Sequence, residues 1–157
     1  MKAIDIMTRE LIQVTEDTPL KEVVRLMMDH SISGIPVVDE KNRLLGIISE
    51  SDIIRKKRKI HMPDYIQLLE ALLNEADPDV FEHDLATTLQ QPVKTFMTRQ
   101  VITIRKSTSL GEITRLMVEH GIKRLPVVDQ GLLVGIVTRR DVIRAFSTLD
   151  DSGSMLF

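Results

Sequence analysis

Two short stretches of this chain set a glycine, a hydroxyl and a carboxylate at matching intervals. Gly135-Ile136-Val137-Thr138-Arg139-Arg140-Asp141 ends an apolar run that begins at Leu132, and Gly46-Ile47-Ile48-Ser49-Glu50-Ser51-Asp52 repeats the arrangement. Each reads as a buried strand delivered onto a helix N-terminus, where free backbone N–H groups, a hydroxyl and an acid meet. A hydroxyl beside such N–H groups suits a phosphate, and a carboxylate suits the paired hydroxyls of a ribose. The acid also has a purely structural reading, because negative charge at a helix start is favourable without any ligand. Spacing alone leaves both open. The cations differ between the copies: Arg139 and Arg140 follow Thr138, whereas Glu50 and Ser51 follow Ser49. A phosphate is therefore expected at the second copy, and Glu50 works against one at the first.

These endings close a duplicated unit, and internal repeats decide the fold class. Residues 7–39 match 97–129 at 16 of 33 positions without a gap, from Met7-Thr8-Arg9 against Met97-Thr98-Arg99 to Pro36-Val37-Val38-Asp39 against Pro126-Val127-Val128-Asp129. In each copy a short alternating segment, Ile12-Gln13-Val14 or Ile102-Thr103-Ile104, predicts a half-buried strand. Thr18-Pro19 and Thr108-Ser109 then predict a helix start with a capping hydroxyl and, in the first copy, a proline at the first helical position. Leu20, Val23, Val24 and Met27, and Leu110, Ile113, Leu116 and Met117, form the apolar stripes of those helices. The methionines fit core packing better than a soft-metal site. Two strands joined by turns at Lys41-Asn42-Arg43 and Gln130-Gly131 follow, and helices from about Glu50 and Arg139 complete a β-α-β-β-α order.

Between the copies lies unrelated sequence. The run Arg55-Lys56-Lys57-Arg58-Lys59 precedes a stretch from Asp64 to Asp84 with seven acids and no Lys or Arg. Tyr65, Leu69, Leu72, Leu73 and Ala76 predict one amphipathic helix, and Phe81, Leu85 and Leu89 a second. Aromatic residues make up 3% of the chain, so the basic run reads as a solvated or internally paired helix end rather than a nucleic-acid surface. Asp150-Asp151-Ser152-Gly153-Ser154 reads as a frayed end.

The rest of the composition narrows the classes. With 43% hydrophobic and 28% charged residues, the 157-residue chain reads as globular, and a net charge of −2 gives no polyanion-binding signature. The absence of cysteine excludes disulfides and thiolate chemistry. His30 and His120 fall at equivalent helix ends, where a cation or donor is favoured, while His61 and His83 complete no ligand spacing. No nucleophile–base pair or P-loop occurs, so no enzymatic activity is expected. The start of the chain lacks a signal-peptide core and no apolar run reaches membrane-spanning length, so a cytoplasmic location without membrane insertion is expected.

The duplicated Met-Thr openings, Pro-Val-Val-Asp strands and Gly-x-x-Ser/Thr-x-x-Asp endings together resemble a tandem pair of cystathionine-β-synthase (CBS) domains, a Bateman module. The resemblance implies an α/β (α+β) fold of two β-α-β-β-α repeats packed about a pseudo-twofold. Repeat 1 is placed at 1–60, a helical insert at 61–93, repeat 2 at 94–148 and a tail at 149–157. It implies a regulatory module whose clefts bind AMP, ADP, ATP or S-adenosylmethionine as regulatory ligand, with no catalytic cofactor and no metal. Asp52 and Asp141 would hold ribose hydroxyls, and Ser49 and Thr138 phosphate. The backbone of Gly34-Ile35-Pro36 and Arg124-Leu125-Pro126 would flank adenine, with Thr18 and Thr108 nearby. In the gamma subunits of AMP-activated protein kinase, basic residues before the proline-led strand reach phosphate, and Lys123-Arg124 stand there in this chain. A homodimer and a regulated protein partner are expected. The competing reading is an interaction protein with degenerate clefts that docks a partner through the insert.

Overall fold

A computed structural model describes residues 1–54 and 85–151. The basic run 55–59, the Tyr65–Ala76 stripe and Phe81 lie outside the described residues. The described elements are α1 (Ala3–Ile6), α2 (Leu20–His30), β1 (Gly34–Val38), β2 (Leu44–Ser49), a 3₁₀ turn (Val93–Thr95), α3 (Leu110–His120), β3 (Arg124–Asp129), β4 (Leu132–Thr138) and α4 (Arg139–Asp151). Helical residues also occupy 50–54 and 85–89. The α-β-β-α part of the expected order is present in both copies. Asp150 and Asp151 form the last turn of α4, where a frayed end was expected, and the remainder of the tail lies outside the described residues.

The periodicities act as expected in the helices. Leu20, Val23 and Met27 of α2 are buried, as are Leu110, Ile113 and Met117 of α3, so both methionines serve the core. Both helices stop in the same way. Ser31 (φ 52°) and Gly121 (φ 60°) turn left-handed, and the N–H of Ile32 and of Ile122 reaches back to the carbonyl of Met27 and of Met117. This return bond satisfies a carbonyl the helix cannot. The starts differ from expectation. The N-caps are Pro19 and Ser109, and Ser109 Oγ accepts from the Glu112 N–H at 3.2 Å. Thr18 and Thr108 instead tie the preceding turns, their hydroxyls accepting from the N–H of Thr15 at 3.2 Å and of Arg105 at 2.9 Å. Each threonine sits one residue too early to reach the first helical turn.

The sheets are small: β1 pairs with β2, and β3 with β4, the latter antiparallel with Arg124 opposite Thr138. Gln130 (φ 50°) and Gly131 (φ 81°) make the two-residue β3–β4 turn, whose left-handed pair matches the strand twist. The expected strands at 12–14 and 102–104 contract to single parallel bridges, Val14 to Val37 and Ile104 to Val127.

The chain divides into two compact units that do not follow the order of the repeats. One comprises Met1–Ile12, Glu40–Leu44 and Gln100–Phe157, the other Gln13–Asp39 and Leu45–Arg99. The opening segment of each copy therefore belongs with the other copy's sheet. In the first unit Thr8 and Ile136 exchange both backbone bonds, and Ala3 donates to the Thr108 carbonyl. In the second, Thr98 and Ile47 do the same, and Val93 donates to the Thr18 carbonyl. Ala3 is fully buried in the core of Leu110, Ile113, Leu125, Val127, Val137 and Val142, with Met7 packed against it. Val93, Phe96 and Met97 are buried likewise in the second unit. Burial of these apolar residues, at roughly 25 cal/mol per Å², holds the exchanged segments in place.

Candidate functional site

In the first unit the site is built where β4 ends and α4 begins. Thr138 caps α4, and its N–H and hydroxyl both donate to Asp141 Oδ2, at 2.8 and 3.0 Å. The Asp141 N–H returns to the Thr138 hydroxyl at 3.4 Å. This reciprocal box fixes the carboxylate at the first turn of the helix. Asp141 is 6% exposed, and its second oxygen, Oδ1, has one charged neighbour, Arg144, at 3.6 Å. The Lys123 carbonyl accepts from the Arg139 N–H at 3.0 Å, and Arg124 pairs with Thr138 across the sheet. Lys123, Arg124, Thr138, Arg139, Arg140 and Asp141 thus share one end of the β3–β4 hairpin.

The second unit carries the same construction with different finishing. Ser49 N–H and Oγ–H donate to Asp52 Oδ2, both at 2.9 Å, and the Asp52 N–H returns to Ser49 Oγ at 3.3 Å. Ser49 Oγ also lies 2.9 Å from Ser51 Oγ. The Ser33 carbonyl accepts from the Glu50 N–H at 3.0 Å. Thr98 adds a contact without counterpart in the first unit: its hydroxyl donates to Asp52 Oδ1 at 2.8 Å.

The capping role of both acids is thus real, and it consumes one oxygen of each. It also leaves fewer free N–H groups at these helix starts than expected. Those of Thr138, Arg139 and Asp141, and of Ser49, Glu50 and Asp52, already have partners within the protein. Attraction for an anion then falls mainly to the side-chain cations. Ile35 and Leu125 are fully buried. Gly34, Pro36 and Pro126 lie on the same strands, β1 and β3. Thr18 and Thr108 are in the turns described above rather than at helix caps. A groove of about 550 Å³ at the opposite end of β3, lined by Arg105, Lys106, Asp129 and Gly131, is a separate place, and its Lys106 is paired with Asp129 at 2.9 Å.

Sequence reasoning missed Thr98 as part of a site. The signal was present in the recurrence of Met-Thr-Arg and in the glycine of each Gly-x-x-Ser/Thr-x-x-Asp motif. A Cβ at Gly46 would lie 2.5 Å from the Thr98 carbonyl oxygen, and one at Gly135 3.1 Å from that of Thr8 and 2.5 Å from Met7 Sδ. The glycines admit the exchanged segments. Among the described residues no group of His, Asp and Glu is disposed to hold a metal, and no helix is long and apolar enough to cross a membrane.

Comparison with known proteins agrees with this architecture. The CBS domain family matches residues 3–59 and 93–148. An uncharacterized protein of Methanocaldococcus jannaschii, MJ1426, is 40% identical over 149 residues, covering 90% of this chain and 88% of its own. A crystal structure of CBSX2 in complex with AMP superposes with a TM-score of 0.70 at 30% identity, covering 95% of this chain and 98% of that one. The CBS domain pair of protein MJ0100, in complex with 5′-methylthioadenosine and S-adenosyl-L-methionine, superposes at 0.67 with 25% identity, covering 94% and 97%. The duplicated sequence, the paired hairpins and these likenesses lead to one assignment: the chain belongs to the CBS domain family, as a tandem pair.

Proposed function

We propose that this chain is a ligand-sensing regulatory module that binds an adenosine-containing nucleotide, with the end of β4 and the start of α4 as its principal site. The observation that carries this reading is Asp141: a buried carboxylate with one oxygen spent on the cap and the other, 3.6 Å from Arg144, receiving no hydrogen bond among the described residues. Beside it, Lys123, Arg124, Arg139 and Arg140 supply positive charge from two short segments. A ribose diol suits the acid and a phosphate suits the guanidinium groups, which can grip its oxygens with paired donors. The complexes of CBSX2 with AMP and of MJ0100 with two adenosine derivatives support the ligand class. AMP, ADP, ATP and S-adenosylmethionine all fall within it. Binding rather than turnover is the activity, and the signal passes to a partner or to the chain's own assembly through a ligand's preference for one state over another.

Calorimetric titration of AMP and adenosine at two salt concentrations tests the assignment. AMP is expected to bind about tenfold or more tightly than adenosine at low salt, since charge-assisted bonds contribute about 1.5–3 kcal/mol. The gap should narrow as salt screens the exposed cations. Equal affinities at both salt concentrations would show that these cations do not face the ligand.

A second copy of the chain is the proposed protein partner. Met28 and Val118, at equivalent positions of α2 and α3, are 76% and 77% exposed, and Ile54 and Ile143 are exposed at equivalent positions of the later helices. Apolar side chains left in water in both repeats are suited to burial against a symmetric mate. Light scattering at micromolar concentration should give a dimer, and Met28→Lys with Val118→Lys should weaken it. A monomeric wild-type protein sinks this assembly. Docking through the insert concerns residues 61–93, of which 61–84 lie outside the described residues, and no observation on 85–93 favours it.

A further inference from the structure

We infer that Thr98 acts as a lock on the Asp52 site, so that the two Ser/Thr–Asp boxes differ in their capacity for a vicinal diol. The inference rests on the ribose-binding reading of these acids and adds which of them is open. An ionised carboxylate offers about four acceptor positions, two on each oxygen. At Asp141, Oδ2 receives the Thr138 N–H and hydroxyl, and among the described residues no hydrogen bond reaches Oδ1. Two acceptor positions remain, one for each hydroxyl of a diol. At Asp52, Oδ2 is filled in the same way by Ser49, but Oδ1 also receives the Thr98 hydroxyl at 2.8 Å. One position remains, and a diol can satisfy only one of its hydroxyls there.

The lock follows from how closely each exchanged segment approaches. Thr98 is held against β2 by mutual backbone bonds with Ile47, at 2.8 and 2.9 Å, over a glycine whose Cβ would strike its carbonyl oxygen. Thr8 is the equivalent residue in the first unit and makes the same pair of backbone bonds with Ile136. Its carbonyl oxygen stands farther from the Gly135 Cβ position, at 3.1 Å against 2.5 Å, and its hydroxyl makes no bond to Asp141. The charges reinforce the difference: the open site has Arg139 and Arg140 next to its hydroxyl, and the locked one has Glu50 and Ser51.

The test uses the full chain with AMP and 2′-deoxy-AMP as probes, titrated calorimetrically into wild type, Thr98→Val, Thr98→Ser, Thr8→Val, Asp141→Ala and the Asp141→Ala/Thr98→Val double variant. Thr98 is exposed, and its backbone bonds do not depend on the side chain, so both variants should fold, which circular dichroism checks. Wild type should take up one AMP per chain at the tight site. Thr98→Val should reveal a second, and in the Asp141→Ala background it should strengthen the residual AMP binding by about tenfold. That gain should vanish with 2′-deoxy-AMP, which has no diol. Thr98→Ser, which retains the hydroxyl, and Thr8→Val should behave as wild type. Two equal sites in wild type, or no effect of Thr98→Val in the Asp141→Ala background, overturns the lock while leaving nucleotide binding at Asp141 intact. A wild-type chain that takes up neither AMP nor adenosine overturns the nucleotide reading and the lock with it.

Discussion

Replacing Asp141 with alanine should cost AMP affinity about 10- to 150-fold, a larger effect than its cost to folding. The carboxylate has two roles on separate oxygens. Oδ2 closes the cap with Thr138, while Oδ1 is turned to where the ligand's hydroxyls are proposed to lie. Losing charge-assisted bonds to two hydroxyls removes about 1.5–3 kcal/mol of binding. Losing the cap removes about 1 kcal/mol of stability, the ordinary cost of a lost N-terminal cap, at a residue that is itself only half-buried. For a chain of this size that lowers the melting temperature by a few degrees, about 2–4 °C. Asp141→Asn separates the roles further. Its amide oxygen still accepts from Thr138, but the second oxygen is replaced by a donor that repels a hydroxyl hydrogen. Asparagine should therefore keep most of the melting temperature and still lose most of the AMP affinity. If it binds AMP as wild type does, and alanine changes only the melting temperature, Asp141 is a helix cap and the nucleotide site lies elsewhere.

How much of this was legible in sequence depends on the range of each interaction. The helices of Leu20–His30 and Leu110–His120 were readable because their stripes are local, and the endings because Ser49 with Asp52 and Thr138 with Asp141 stand three residues apart. The same spacing supports a cap and a ligand site, and the structure shows a cap that occupies one oxygen of each acid. Thr18 and Thr108 stand one residue before the caps, a difference that local pattern cannot resolve when several small polar residues precede a helix. The exchange of opening segments was invisible. Thr8 meets Ile136 and Thr98 meets Ile47 across long stretches of chain, and no local preference encodes such a partner. Even so, each exchange left a trace in a glycine at the middle of a buried strand, a residue that otherwise weakens a strand.

That trace leads to the largest stability effect expected here. Gly46→Ala should destabilise the protein by about 3 kcal/mol, and Gly135→Ala by about 1–2 kcal/mol. At Gly46 the added Cβ would lie 2.5 Å from the Thr98 carbonyl oxygen and 3.3 Å from its carbon. That oxygen is backbone and already accepts from the Ile47 N–H at 2.9 Å, so relief requires moving the segment and weakening the bond. At Gly135 the nearest obstacle is Met7 Sδ, the far end of an unbranched side chain that can rotate aside. The Thr8 carbonyl at 3.1 Å then needs a shift of only a few tenths of an ångström. Gly111, in α3, is the control: nothing lies within 4 Å of its Cβ position, and alanine there should stabilise by about 0.5–1 kcal/mol. Urea unfolding midpoints, compared at constant slope, give the three values directly. Gly46→Ala costing no more than Gly135→Ala would mean that the Met97-Thr98-Arg99 segment does not rest on β2 as described. The Thr98 bond to Asp52 would then lose its support as well, since the same close approach places that hydroxyl on the acid.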